Sequence, residues 1–504
     1  MARSLRGIDR FRGRAGIADM VEKDIPYLRR LVGNALSLLT SDVLNRATSF
    51  VIYALVARQL GAVAVGQVSL ALTLFYVFQV LSVAGLKTLI IREVAKNRQD
   101  TERYLVNASL AVVIYSLVSM VMMGAFVRVM GYRDETAIVI LLLSVGLLPY
   151  AMAAVQEAIF QAWERMHYIA YANAPMNALK IGLVIAVLAL GYGVRELMIV
   201  IVIALFAIAS FEWWLTARNI VRPRFRFDLG FAYSISRKAT TFLGIDAVIA
   251  VRSAVPIVLL SKLASEREVG LFSVAQQLLV PIGLVFQAIA LSVFPLLCRK
   301  FAAGMREFQQ VGSRLLEVLM VVGLPTAVGL FLMADSALLL LYSDADFLNA
   351  VVVLRILVWL IVLNGLTTGL GHLLYAAGNE RMTLRIVLAQ VAVVTVLGIV
   401  MIDAMGLPGA ALATVAAGFV SAALHFAAVW KVIPHFGLMR RTWIPAVACA
   451  VMWGYLEVIQ WDHLAVRVVS GAIAYAVALI AVMVVVGGGP RQLKVRYLQL
   501  WSRS

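Results

Sequence analysis

Seven ionisable side chains interrupt apolar runs in this sequence and are the groups most able to do chemistry there. Asp42 and Arg46 lie in the run 34–56, Asp246 and Arg252 in 238–261, Lys180 centrally in 168–190, Arg355 in the outer half of 347–376, and Lys87 near the end of 66–91. A charge at the centre of a membrane helix costs roughly 2.5–3.5 kcal/mol on insertion scales unless it meets water or a partner. Lysines and arginines gathered in a partly wet, low-dielectric interior bind phosphate through strong charge-assisted hydrogen bonds. Arg46, Lys180, Arg252, Lys87 and Arg355 are therefore the candidate anion-binding set. Asp42 and Asp246 are the candidate charge-pair or ion-coupling set.

Spacing refines these roles. Asp42 and Arg46 are four apart, so they share one helix face and can pair, and a structural pair that holds the bundle together is the plainer reading of them. Asp246 and Arg252 are six apart, about 600° of helical rotation, and do not share a face. At least one of them needs a partner on another helix or in a water-filled cavity. Lys87, together with Glu157, Glu212, Arg314 and Arg467, lies near a span end, where snorkelling to the interface accounts for such residues.

The elements that must position these groups follow from composition. Of 504 residues, 62% are hydrophobic and 14% charged, and the mean hydropathy is +0.93, far from the quarter-charged composition of soluble domains. This excludes a soluble enzyme. A spanning helix needs about 20 apolar residues, and fourteen candidates are found: 34–56, 66–91, 104–127, 137–163, 168–190, 194–216, 238–261, 269–294, 313–335, 347–376, 384–402, 408–430, 442–459 and 464–487. The runs are long and do not alternate, which favours helices over barrel strands. The expected fold is all-α and polytopic.

With the amino terminus placed in the cytoplasm, 31 Lys and Arg fall in loops on that side, against 6 in the opposite loops. The net charge of +17 is then explained as membrane topology and not as a nucleic-acid footprint, and both termini are expected in the cytoplasm. The organisation expected is a basic tail at 1–33, a six-helix lobe at 34–216, a basic linker at 217–237, a second six-helix lobe at 238–430, two further helices at 431–487, and a basic tail at 488–504. The first 33 residues lack an apolar core close behind their charges, so they read as a solvated or headgroup-associated tail and not as a secretory signal.

A constant offset of 204 brings Asp42 onto Asp246, Arg58 onto Lys262, Gly66 onto Gly270, Ser69 onto Ser273 and Ala71 onto Ala275. Six spans per half make the halves parallel repeats related by an axis along the membrane normal, with a cavity expected between them. Pro256, placed so that it cannot bond to the Arg252 carbonyl, is expected to bend the seventh span. Pro175, Pro281 and Pro325 mark bends in the fifth, eighth and ninth. The sequence has no GxxxxGK[ST] loop, its histidines show no paired metal spacing, and Cys298 and Cys449 are far apart. No cofactor, metal, disulfide or catalytic site is indicated.

Four segments then carry a resemblance. They are Arg58–Leu60–Gly61–Gly66–Ala71 with Gly85 and Arg92–Glu93; Gln161-Ala162-Trp163-Glu164-Arg165-Met166; Tyr375-Ala376-Ala377-Gly378-Asn379-Glu380-Arg381; and Gly406-Leu407-Pro408-Gly409-Ala410-Ala411. Together they resemble the polysaccharide-transporter, or oligosaccharide flippase, family of the multidrug/oligosaccharidyl-lipid/polysaccharide exporter superfamily. The resemblance implies a carrier in the bacterial inner membrane that moves undecaprenyl-pyrophosphate-linked oligosaccharide from the cytoplasmic to the outer leaflet, not an enzyme. Its implied partners are the lipid-linked oligosaccharide, membrane lipids, and polysaccharide polymerase and export proteins, with no nucleic acid. Two alternatives stay open: a cation-coupled drug or metabolite exporter of the same superfamily, for which an acidic cavity is expected, and a non-transporting scaffold for glycan assembly, in which the buried charges pair off.

Overall fold

The computed structural model describes residues 9–433, 439–459 and 463–486. The expected C-terminal tail at 488–504 and the first eight residues of the N-terminal tail lie outside the described residues. The chain is helical almost throughout. Its first half comprises α1 (Asp9–Val83), α2 (Leu86–Lys96), α3 (Thr101–Met130), α4 (Asp134–Ser144), α5 (Leu147–Ala162), α6 (His167–Ala189) and α7 (Val194–Asn219). The second comprises α8 (Leu229–Leu263), α9 (Glu266–Gln277), α10 (Val280–Ala303), α11 (Met305–Leu332), α12 (Ala334–Tyr342), α13 (Val351–Leu357), α14 (Trp359–Ala376), α15 (Glu380–Met405) and α16 (Leu407–Val432). The C-terminal pair is α17 (Met439–Val458) and α18 (Leu464–Val486).

Among the described residues, eleven helices are long and apolar enough to cross a membrane, or twelve when one bent pair is taken as a single span. The fourteen expected spans differ from this count for local reasons. The first and second are joined in one 60-residue stretch, Ser37–Lys96, kinked where Gly61 adopts φ 78°. The thirteenth is a shorter apolar helix, Trp443–Val458. α1 begins at Asp9, inside the expected basic tail at 1–33.

The seventh span turns by 47° between its Leu229–Gly244 and Asp246–Leu263 segments, and Pro256 lies inside the second of them. Pro281 stands in the first turn of α10, after the break that ends α9, where its missing N–H costs no hydrogen bond.

Two compact units emerge. The first comprises Met1–Ile52 and Leu74–Ala247, the second Tyr53–Thr73 and Val248–Ser504. In the first, Leu86, Ile90, Leu105, Val112, Val155 and Ile159 are buried in a core shared by α2, α3 and α5, with Ile235 and Ala239 of α8 joining it. Gly85, at φ +75°, makes room for this approach: a Cβ there would stand 2.5 Å from the Ala239 carbonyl oxygen.

The second unit is built around Phe286, Leu316, Leu319, Ile361, Leu373 and Val429. The C-terminal pair adds its own core, in which Met452, Leu456 and Tyr475 meet Val328 and Met333. The Tyr475 hydroxyl donates to the Val321 carbonyl at 2.9 Å and pins α18 to α11. Exposed apolar side chains such as Val121, Ile473 and Ile480 suit a lipid-facing exterior.

Candidate transport site

The basic linker is fastened to the start of α3. The Asp228 carboxylate accepts from Arg103 Nη2 at 2.8 Å and from the Phe231 amide at 2.9 Å. The Asp228 amide donates to Asn107 Oδ1 at 2.8 Å, and the Arg224 amide donates to Glu102 Oε1 at 3.0 Å. Arg103 also lies over the Phe231 ring at 4.0 Å. These bonds give α8 a defined start.

The segment Gln161–Met166 builds the turn between α5 and α6. Trp163 Nε1 donates to Thr101 Oγ1 at 3.0 Å, Arg165 Nη1 donates to the Asn219 carbonyl at 2.9 Å, and Arg98 stacks over the indole at 5.2 Å. Its residues act as architecture, tying the ends of three helices together.

Within the first unit, α1 and α6 meet in a polar seam. Asn177 Nδ2 donates to Asn45 Oδ1 at 2.6 Å. Arg46 follows Asn45 directly, and Lys180 stands three residues after Asn177, on the same face of α6. The bond joins the segment of α1 that carries Arg46 to the segment of α6 that carries Lys180. Asp42 shares a face with both Asn45 and Arg46, yet among the described residues no ion pair joins Asp42 to Arg46. Asp42 and Arg46 are exposed and Lys180 is half-buried. Sequence reasoning missed both asparagines because it searched only for charges.

Lys87 sits differently. It forms an ion pair with Glu157 of α5, so its charge is compensated locally. Nor does snorkelling describe its neighbour Glu212 on α7, which is fully buried. Asp246, at the bend of α8, is exposed.

Within the second unit, Arg252 is half-buried and reaches Gln390 Oε1 of α15 at 3.5 Å, with Tyr375 and His425 in electrostatic reach. Arg355 is exposed and lies 5.7 Å from the centre of the Phe331 ring. Phe331 itself packs against Trp359 and Trp453. Arg355 therefore belongs to an aromatic cluster of the type that anchors helices at a membrane interface. An apolar cavity of about 520 Å³ opens between α11 and the C-terminal pair, lined by Val322, Pro325, Leu330, Leu456, Val468 and Tyr475.

The same unit holds the tightest backbone approach of the molecule's repeat. A Cβ on Gly66 would meet the Glu266 carbonyl oxygen at 1.9 Å, and one on Gly270 would meet the Ala62 carbonyl oxygen at 1.9 Å. The offset of 204 read from the sequence carries one of these contacts onto the other, Gly66 onto Gly270 and Ala62 onto Glu266. Arg58 Nε and Nη2 secure the neighbouring turn by donating to the Leu341 and Leu340 carbonyls, each at 2.7 Å.

Residues 31–301, more than half of the chain, match the model of the family described as "Polysaccharide biosynthesis protein". The chain belongs to this polysaccharide biosynthesis protein family. This family member is 27% identical over 200 residues to a probable lipid II flippase MurJ of Rhizobium tropici, an alignment that spans 37% of each chain, well under two thirds of that relative's length. Among solved structures it is similar to a lipid II flippase MurJ in an inward closed conformation, with a TM-score of 0.72, 14% identity, and coverage of 89% of this chain and 98% of the other. It is also similar to an inward-facing MATE family multidrug resistance transporter of the MOP superfamily, with a TM-score of 0.64, 15% identity, and coverage of 80% and 99%. At these identities the likeness to the solved structures is one of fold. The polysaccharide biosynthesis family member is thus an all-helical, multi-pass membrane protein with the fold of these transporters.

Proposed function

We propose that this protein is a flippase that carries an undecaprenyl-pyrophosphate-linked oligosaccharide from the inner to the outer leaflet of the bacterial cytoplasmic membrane, during polysaccharide synthesis or export. It performs no covalent chemistry and works by alternating access of its two six-helix halves, with both termini in the cytoplasm. The observation that carries this reading is the α1–α6 seam, where the Asn45–Asn177 bond joins the helix segments that carry Arg46 and Lys180, neither of which has a carboxylate in ion-pair distance among the described residues. Uncompensated cations inside apolar helices suit an anionic group that arrives and leaves.

In this reading the pyrophosphate passes along Arg46, Lys180 and Arg252, and the amide and hydroxyl groups nearby meet the sugar. The apolar cavity beside α17 and α18 receives part of the isoprenoid tail. Lys87, paired with Glu157, and Arg355, stacked on Phe331, play supporting roles at the rim of the path. Outward movement of negative charge across an inside-negative membrane is favoured by roughly 2.3 kcal/mol per charge per 100 mV, so membrane potential can assist without nucleotide hydrolysis. Membrane lipids surround the carrier, and a polymerase with export proteins receives its product. The cation-coupled drug exporter is less well supported, because the unpaired groups of the seam are mainly basic. The test is leaflet transfer of a fluorescent lipid-linked oligosaccharide in proteoliposomes, compared between wild type and variants of the seam.

A further inference from the structure

A second polar cluster of the first unit lies apart from the α1–α6 seam. Lys87 of α2 is paired with Glu157 of α5, and their side chains remain 36% and 23% exposed. Glu212 of α7 is fully buried, and neither of its carboxylate oxygens has a hydrogen-bond partner among the described residues. It lies within electrostatic reach of Glu157 and Lys87. Among the described residues, α4 and α6, which also pack on α7, bring no titratable group to bear on it. Tyr150, two turns before Glu157 on α5, acts on the Lys87–Glu157 pair.

The cluster therefore holds two carboxyl groups and one ammonium, and the ammonium is already committed to Glu157. An ionised Glu212 would be a buried charge with neither a hydrogen bond nor a free counter-ion, a strongly unfavourable arrangement. A metal ion does not resolve this: among the described residues no group of three or more His, Cys, Asp or Glu could hold one. A proton does.

We propose that Glu212 is a proton-binding site, walled by the Lys87–Glu157 pair, whose occupancy is coupled to the transport cycle. The coupling half rests on the flippase reading above; the binding half does not. Proton uptake forms one O–H bond on a Glu212 oxygen, turns a carboxylate into a neutral acid, and raises the charge of the cluster by one. With Glu212 neutral, Lys87 and Glu157 close on each other. With Glu212 ionised, two carboxylates compete for the Lys87 ammonium, so α7 is drawn toward α2 and the pair loosens. Two arrangements that differ in affinity for a proton are what a proton needs in order to shift a conformational equilibrium.

The test of binding is infrared pH-difference spectroscopy of the full chain in nanodiscs. A carboxylic acid C=O band is expected in the wild type, lost in Glu212→Gln and displaced in Glu212→Asp. The displacement alone decides the matter if Glu212→Gln does not fold. A band unchanged in both variants, or no such band at any pH at which the protein is folded, overturns the proposal. The test of coupling is leaflet transfer under an imposed pH gradient: the wild-type rate responds to the gradient and the Glu212→Gln rate does not, whereas a response that persists in Glu212→Gln overturns coupling. If wild-type protein moves no glycan while the infrared band behaves as expected, the flippase reading fails and the proton site stands.

Discussion

Gly66 and Gly270 cross back to back, each leaving room for a backbone carbonyl that its partner's segment supplies. A methyl group on either would come within 1.9 Å of an oxygen, from Glu266 in one case and Ala62 in the other. Gly66 and Gly270 are 204 residues apart, and so are Ala62 and Glu266, so the two contacts map onto each other by the offset of the internal repeat and form a local two-fold contact. Gln67 Nε2 adds a bond to Glu266 Oε2 at 3.1 Å beside it.

Because backbone atoms form both walls, neither side can yield by rotating a side chain. Gly66→Ala and Gly270→Ala should each destabilise the protein by about 1–3 kcal/mol, as overpacking does. Gly182→Ala, with open space around it, should not. Thermal unfolding of the purified protein in detergent checks this, and equal midpoints for all three variants would refute the close crossing.

Asn45 and Asn177 join α1 to α6 through one side-chain bond of 2.6 Å, with Asn177 buried. Removing either partner leaves a polar group unsatisfied, a cost of roughly 1–3 kcal/mol, whereas the bond itself contributes about 0.5–1.5 kcal/mol. Asn45→Ala and Asn177→Ala should therefore be non-additive in a double-mutant cycle of unfolding midpoints. Additive effects would mean the two side chains do not interact.

The Tyr475 hydroxyl is a polar tie between α18 and α11. Tyr475→Phe leaves the ring in place and should weaken docking of the C-terminal pair by about 0.5–1.5 kcal/mol. Hydrogen exchange should then quicken in α17 and α18 while the core around Phe286 and Leu319 keeps its protection.

Asp228 supplies a pH dependence with a definite sign. The Phe231 amide, and then the Arg103 guanidinium, hold its carboxyl below the usual carboxylate range. Its contribution to fastening the linker is present above the unfolded-state value and is lost as the pH falls through the lower folded-state value. Amide exchange at residues 228–231 should quicken on acidification in the wild type. In Asp228→Ala it should be fast already at neutral pH and respond little to acid. The group is exposed, so the effect is local.

Much of this architecture was legible in the sequence because lipid solvation leaves long apolar runs, and because charges within them stand out. The Ser37–Lys96 stretch shows where legibility ended: hydropathy resolves two spans, but the kink at Gly61 is a backbone feature that residue polarity does not encode. The same holds for the bend beside Asp246, which no proline marks. Among the candidate segments, those of Arg46 and Lys180 are joined through asparagines that carry no charge signal. Glu212 looked like a span-end residue by position, and only the packing of α4, α5 and α6 on α7 makes it a buried one. Pairing of Lys87 with Glu157 joins residues 70 apart in sequence, a relation that no local spacing rule reveals.

The most direct measurement is the rate at which a fluorescent undecaprenyl-pyrophosphate oligosaccharide crosses between leaflets in proteoliposomes containing the wild type, Arg46→Ala or Arg252→Ala at matched folded protein. Wild-type protein is expected to accelerate transfer, and each variant to slow it by about tenfold or more, equivalent to about 1.4 kcal/mol of lost stabilisation along the path. Transfer by wild type no faster than in protein-free liposomes, or transfer unaffected by both substitutions, would contradict the account.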